Sequence, residues 1–311
     1  MWKPGVAALF AAAAFSPCLS HADAFDTGMN SMWEVLWHQS GIPTRLVRWE
    51  QKELKVRIAG VNLAAHKQYT IDALRNVAAE AGLSVVDVSD QPDAARQADV
   101  SIEITPNTSL SENEPCVTRL HFQTETKLDS VDMQMRDSEA QRCIYHESMH
   151  VMGVRGHPEG ETVLSYFTSH VDSLLPLDKA MLHAWYSPRT RGGMTPFEVL
   201  PILADELVAI LPDKQQAQQS RDRFFVRTVD EMQAFADGRG DVPMIVKRSG
   251  KCTPDGVRLG RMEMSYFLGI AYQEGATVHQ DTAQAQRWLQ RAVSLGSRTA
   301  QTMLGASSGR G

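Results

Sequence analysis

The spacing of apolar and polar positions predicts strands alternating with helices in the first half of the chain and helices alone in the second. Leu54, Val56 and Ile58 alternate with Lys55 and Arg57, as in a half-buried strand. Ile71, Leu74, Val77, Ala78 and Ala81 recur at helical spacing and predict a helix over about 70–81, with Thr70 as its N-cap and Gly82 stopping it. Leu83 to Val88 reads as a short strand, and Val100, Ile102 and Ile104 alternate in another. After a polar loop from Pro106 to Pro115, Val117 to Glu125 mixes polar and apolar residues on both faces, which suits an exposed edge strand. Val131, Met133 and Met135 alternate within a strand over Leu128 to Arg136, where the methionines read as core packing. Residues 25–50 contain Trp and Met but have only weak periodicity, and form a lead-in to which no element is assigned.

A helix is expected next, opened by Asp137-Ser138 with a capping box between Ser138 and Gln141 and with Glu139 near its positive end. Gly153 is placed to end it in a left-handed turn. Beyond it, helices are expected from Leu175-Pro176 to about Tyr186 and from Pro196 to Leu211. Pro212 and the run Gln215 to Gln219 read as a boundary, followed by an amphipathic helix over Arg221 to Ala236 and a loop-rich stretch from Gly238 to Gly250. Arg261 to Gln273 and Thr282 to Leu295 then form an antiparallel helical pair, with Asp281 capping the second. The fold class expected is α+β, a twisted mixed sheet with a motif-bearing helix, followed by an all-α region.

Composition narrows the functional classes. The chain has 311 residues, 43% hydrophobic and 22% charged, with net charge −6, so it is globular and no basic field points to nucleic acid. Lys3 precedes an Ala-rich apolar run from Val6 to Phe15, and Ser20-His21-Ala22 and Ala22-Asp23-Ala24 offer small-x-small cleavage sites. This pattern predicts a secretory signal peptide over 1–22 and an exported protein, periplasmic or secreted. No apolar run is long enough for a transmembrane segment. Export leaves Cys116, Cys143 and Cys252 in an oxidising compartment. Cys116–Cys143 is the preferred disulfide, because it would tie a loop to the motif helix, with Cys252 left over; three buried free thiols are the alternative.

The chemistry concentrates at His146-Glu147-Ser148-Met149-His150-Val151-Met152-Gly153. Two histidines four apart lie on one helix face and can share a metal ion, and the Glu between them can act as general base on a metal-activated water. Two unrelated histidines on one helix would have the same spacing, so the flanking sequence decides. A catalytic zinc site needs a third protein ligand. His157, just past the Gly turn, is the best candidate, with Glu161, His170 and Asp172 behind it and Glu198 the choice for a remote glutamate. His38, His66, His121 and His183 read as surface or core residues.

These residues resemble the metzincin clan of zinc metallopeptidases, whose motif is H-E-x-x-H-x-x-G-x-x-H followed by a Met-containing turn. His146, Glu147, His150 and Gly153 match, and the third His comes one residue late at His157. Thr162-Val163-Leu164-Ser165-Tyr166 resembles the turn with Leu164 in place of Met, and Leu177-Asp178 to Trp185-Tyr186 resembles the helix that follows it. The likeness spans roughly residues 45–190. It implies a metzincin-like domain over 23–211, zinc held by His146, His150 and His157, Glu147 as general base, and Tyr166 as a distant ligand or oxyanion stabiliser. The substrate would be a peptide or protein, with the Val117–Glu125 edge available for strand addition. A narrower likeness is to a family of exported bacterial proteins of unknown function. It is carried by Cys143, Leu164-Ser165-Tyr166-Phe167, Leu177-Asp178, Tyr186-Ser187-Pro188-Arg189 and Gly193-Met194. Members often have Glu-Glu and Gln in place of His146, Glu147 and His150.

Within 212–311, Leu268-Gly269, Tyr272, Gly275, Asp281, Ala285, Trp288 and Ala292 resemble a Sel-one-like repeat, a relative of the tetratricopeptide repeat, over about 261–305. This implies a protein partner bound through the helical repeat; a helical cap on the first domain is the alternative. Two functions follow as expectations. One is an exported zinc metallopeptidase. The other is a non-catalytic cell-envelope binding protein that uses the same fold and repeat.

Overall fold

The computed structural model describes residues 21–37, 44–165, 172–248 and 253–308. Most of the expected signal segment, together with His38, Tyr166, His170 and Cys252, lies outside the described residues. The chain is a mixed α/β structure. It begins with α1 (His21–Leu36), β1 (Glu53–Gly60), α2 (Leu63–Glu80), β2 (Ser84–Asp87), a single-turn α3 (Ala94–Gln97) and β3 (Val100–Thr105). Next come β4 (Cys116–Thr124), β5 (Lys127–Arg136), a 3-10 turn over Asp137–Glu139 and α4 (Ala140–Val151), which carries the histidine motif. Helices α5 (Pro176–Trp185), α6 (Pro196–Ile210), α7 (Lys214–Ala236), α8 (Met244–Arg248), α9 (Pro254–Glu274), α10 (Thr282–Ser294) and α11 (Arg298–Ser308) complete it.

The sheet has five strands in the order β2-β1-β3-β5-β4. Strands β2, β1, β3 and β5 run parallel, and β4 is antiparallel to β5 at one edge. Val56, Ile58, Ile102, Ile104, Met133 and Met135 are buried on one face, while Lys55 and Asp132 on the other are exposed. Helices α2 and α4 pack on each other, α2 against β1 and β2 and α4 against β4 and β5, so together they roof the buried face. The motif helix thus lies along the edge strand, as the apolar alternation requires.

Several sequence expectations need correction. Helix α2 starts at Leu63, and Thr70 is buried inside it rather than capping it. None of residues 63–69 is fully buried, and Asn62 opens the helix in a left-handed conformation (φ 48°). The Ser138–Gln141 capping box does not form; the Ser138 amide donates instead to Asn107 Oδ1 at 2.9 Å. The lead-in contains α1, whose residues 31–36 are all buried. The Gln-rich run lies inside α7, capped by Asp213, whose side chain accepts from the Gln216 amide at 2.9 Å.

One hydrophobic cluster runs from Phe25 to Ala300, across the expected division at 211/212. Helix α1 packs on α6 and α7, and α9 packs on α7 and α10. The α9–α10 pair forms as expected: Gly275 ends α9 at φ 69°, and Asp281 caps α10 by accepting from the Ala283 and Gln284 amides at 2.9 and 3.0 Å. Among the described residues, no helix is long and apolar enough to cross a membrane.

Candidate metal centre

The site is built where α4 ends. Val154 and the loop beyond it turn back because Gly153 adopts φ 85° against the Val47 backbone; a Cβ there would lie 2.6 Å from the Val47 carbonyl oxygen. Carbonyls at the end of α4 find partners outside the helix, as a buried helix end demands. Trp49 Nε1 donates to Val151 O at 2.8 Å and Tyr186 Oη donates to Met152 O at 2.8 Å.

That turn brings His157 back over His146 and His150. The Nε2 atoms lie 3.1 Å apart for His146–His150, 3.1 Å for His146–His157 and 3.3 Å for His150–His157. Among the described residues this is the one group of potential metal ligands, and Glu161, Asp172 and Glu198 are not in it. Glu198 caps α6, accepting from the Thr195 amide at 2.7 Å. His66, His121 and His183 pair with Asp137, Asp132 and Glu80 instead.

The donor set fits a metal ion. His146 Nδ1 faces Val163 O at 2.9 Å and His150 Nδ1 faces Val154 O at 2.8 Å. A carbonyl only accepts, so both Nδ1 atoms carry protons and both Nε2 atoms present lone pairs. Burial pushes both imidazoles down to about 4, which keeps them neutral near pH 7. Lone pairs 3.1 Å apart repel unless a cation sits among them. Tetrahedral zinc with Zn–N of about 2.0–2.1 Å separates its ligand atoms by about 3.3 Å, close to the spacing found.

Glu147 is 5% exposed and lies beside this group. Its Oε2 accepts from Thr118 Oγ1 of β4 at 2.6 Å. Burial pushes its pKa up, opposed by the Thr118 hydrogen bond. The two elements are also joined covalently, since Cys116 of β4 and Cys143 of α4 form a disulfide with Cα atoms 6.4 Å apart. Between them a cleft of about 630 Å³ is lined by Glu114, Val117, Thr118, Tyr145, Glu147 and the three histidines, among others. The cleft opens the three imidazoles and the Glu147 carboxylate to one shared space.

The structure therefore brings together His146, Glu147, His150 and His157. Tyr166 lies outside the described residues. Sequence reasoning did not identify Thr118, although the disulfide could have pointed to it. Cys116 and Thr118 share a strand face and Cys143 and Glu147 a helix face, so bridging one pair brings the other together. It also missed the roles of Thr162 and Asp178 behind His146, because these depend on a loop meeting α5. No protein-family model matches the chain, and no curated protein matches it.

Proposed function

We propose that the protein is an exported zinc-dependent metallopeptidase with a metzincin-like fold. The observation that carries this reading is the triangle of His146, His150 and His157 Nε2 atoms, 3.1–3.3 Å apart, beside the buried carboxylate of Glu147. Zinc held by these three imidazoles would polarise a scissile carbonyl and make a water more acidic. Glu147 takes a proton from the attacking water and returns it to the leaving amine. Its raised pKa brings its proton affinity closer to that task, while the Thr118 hydroxyl fixes one oxygen and leaves the other to work. The cleft between β4 and α4 orients an extended peptide and limits water around it. Tyr166 is the candidate oxyanion stabiliser. Export follows from the expected signal peptide over 1–22.

The second reading is a non-catalytic cell-envelope protein that binds a protein partner through the Sel-one-like pair α9–α10. Leu164, in the place that metzincins give to Met, is the observation on its side.

Zinc content and cleavage of a broad peptide library by the wild type and Glu147→Gln separate the two. The peptidase reading predicts equimolar zinc in both proteins and cleavage at least about a hundred-fold slower in the variant. Equimolar zinc with no cleavage by the wild type would favour the binding protein.

A further inference from the structure

We infer that Asp178 and Thr162 are positioning residues of the metal centre, joined to His146 through one peptide group. This inference rests on the zinc reading of the three histidines. His146 Nδ1 donates to the Val163 carbonyl at 2.9 Å. The N–H of that same peptide unit, on Leu164, donates to Thr162 Oγ1 at 3.1 Å. The Thr162 hydroxyl donates in turn to Asp178 Oδ1 at 2.5 Å. Imidazole, peptide, hydroxyl and carboxylate thus form one directional chain, in which every group donates toward the carboxylate.

The chain is shielded from solvent: Thr162, Leu164 and Asp178 are each 0% exposed. In such surroundings consecutive hydrogen bonds polarise one another. Negative charge at Asp178 draws the Nδ1 proton of His146 toward Val163 and makes Nε2 a stronger donor to a cation. A carboxylate that bonds a metal-binding imidazole directly has this effect; here a hydroxyl and an amide carry it from α5. Asp178 also locks the loop, since the Val163 amide lies 3.2 Å from both its oxygens.

Helix capping alone does not account for Asp178. Helices α5 and α6 open alike, with Pro first and an acidic residue two positions later. In α6, Glu198 caps the Thr195 amide and turns its other oxygen to Arg191 at the surface, 3.3 Å away. In α5, Asp178 Oδ2 caps the Leu175 amide at 2.9 Å, yet Oδ1 faces Thr162, and Asp178 has no ion pair among the described residues. A cap needs no buried, cation-free carboxylate, which is costly to keep.

The test is cobalt(II) binding by the full chain after chelator treatment, in wild type, Thr162→Val, Thr162→Ser and Asp178→Asn, with folding checked by near-ultraviolet circular dichroism. Thr162→Val cuts the chain while leaving the Asp178 bonds to the Val163 and Leu175 amides. Asp178→Asn keeps acceptors for those amides, removes the charge, and serves if the valine variant does not fold. The expected result is equimolar cobalt in the wild type, affinity about ten-fold or more weaker in Thr162→Val and Asp178→Asn with a shifted visible spectrum, and recovery in Thr162→Ser. Wild-type affinity in folded Thr162→Val or Asp178→Asn overturns the inference and leaves the three-histidine site standing. Failure of Thr162→Ser to recover what Thr162→Val loses also overturns it, because packing would then be the cause. A wild type that binds neither cobalt nor zinc overturns both the inference and the zinc reading.

Discussion

Thr118 Oγ1 donates to Glu147 Oε2 at 2.6 Å, so the edge strand holds the residue proposed as general base. Replacing Thr118 with Val removes the donor and leaves a buried carboxylate oxygen without it. A hydrogen bond to a charged group is worth about 1.5–3 kcal/mol, so peptide cleavage should fall about ten-fold or more. Zinc content should not change, because Thr118 touches none of the histidine nitrogens described above. Steady-state cleavage and metal content measured together check this; unchanged cleavage would remove Thr118 from the machinery.

The Cys116–Cys143 bridge closes a loop with a sequence separation of 27. A loop of this length stabilises the fold by about 3.5 kcal/mol through the entropy of the unfolded chain. Double replacement by Ser should lower the denaturant midpoint accordingly. Cleavage should fall more than stability alone explains, because the bridge also sets Thr118 against Glu147. Equal unfolding midpoints with and without the bridge would refute its structural role.

Gly153 sets the direction in which the chain leaves α4. At φ 85°, with the Val47 carbonyl oxygen 2.6 Å from where a Cβ would stand, Gly153→Ala carries both backbone strain and a backbone clash. The strain alone costs about 1–2 kcal/mol. The variant should melt lower and bind metal less well, since His157 lies beyond the turn. Thermal unfolding and a zinc competition assay read the two effects separately.

Acid should destabilise the wild type more than His150→Ala when metal is withheld by chelator. Burial holds His146 and His150 down to about 4, below the ordinary 6.5. Between those values the unfolded chain binds protons that the folded chain refuses, so stability falls as pH drops through that window. Asp178, pushed up to about 6 by burial, works in the opposite sense from there down to its ordinary 3.8. Glu147, also pushed up by burial, acts in the same sense as Asp178, so the imidazole contribution is read as a difference between two proteins. Urea midpoints should drop more between pH 7 and 4 in the wild type than in His150→Ala, which lacks one of the two buried imidazoles. An equal pH dependence in the two proteins would contradict the assignment.

Much of the arrangement is legible in the sequence because local patterns carry it. The alternations at Leu54–Ile58, Val100–Ile104 and Val131–Met135 are strands buried on one face, and the motif helix and its Gly turn are read from spacing alone. What escapes is set by contacts between distant segments. Helix α1 packs on α6 and α7, and its residues 31–36 are all buried, a burial that local spacing does not announce. The 3-10 turn that leads into α4 is held by Asn107 from a loop, and Ser138 does not cap the helix. The support behind His146 joins residues 162–164 to α5, a meeting that no periodicity encodes.

The central claim is that His157 completes a three-histidine metal site despite standing one residue later than the metzincin spacing. Zinc stoichiometry and affinity of the wild type and His157→Ala, measured by elemental analysis and chelator competition, test it most directly. The account predicts one zinc per wild-type chain and an affinity at least about a hundred-fold weaker without the third imidazole, as the loss of one of three protein ligands requires. A metal-free wild type, or equal affinity in both proteins, would contradict it.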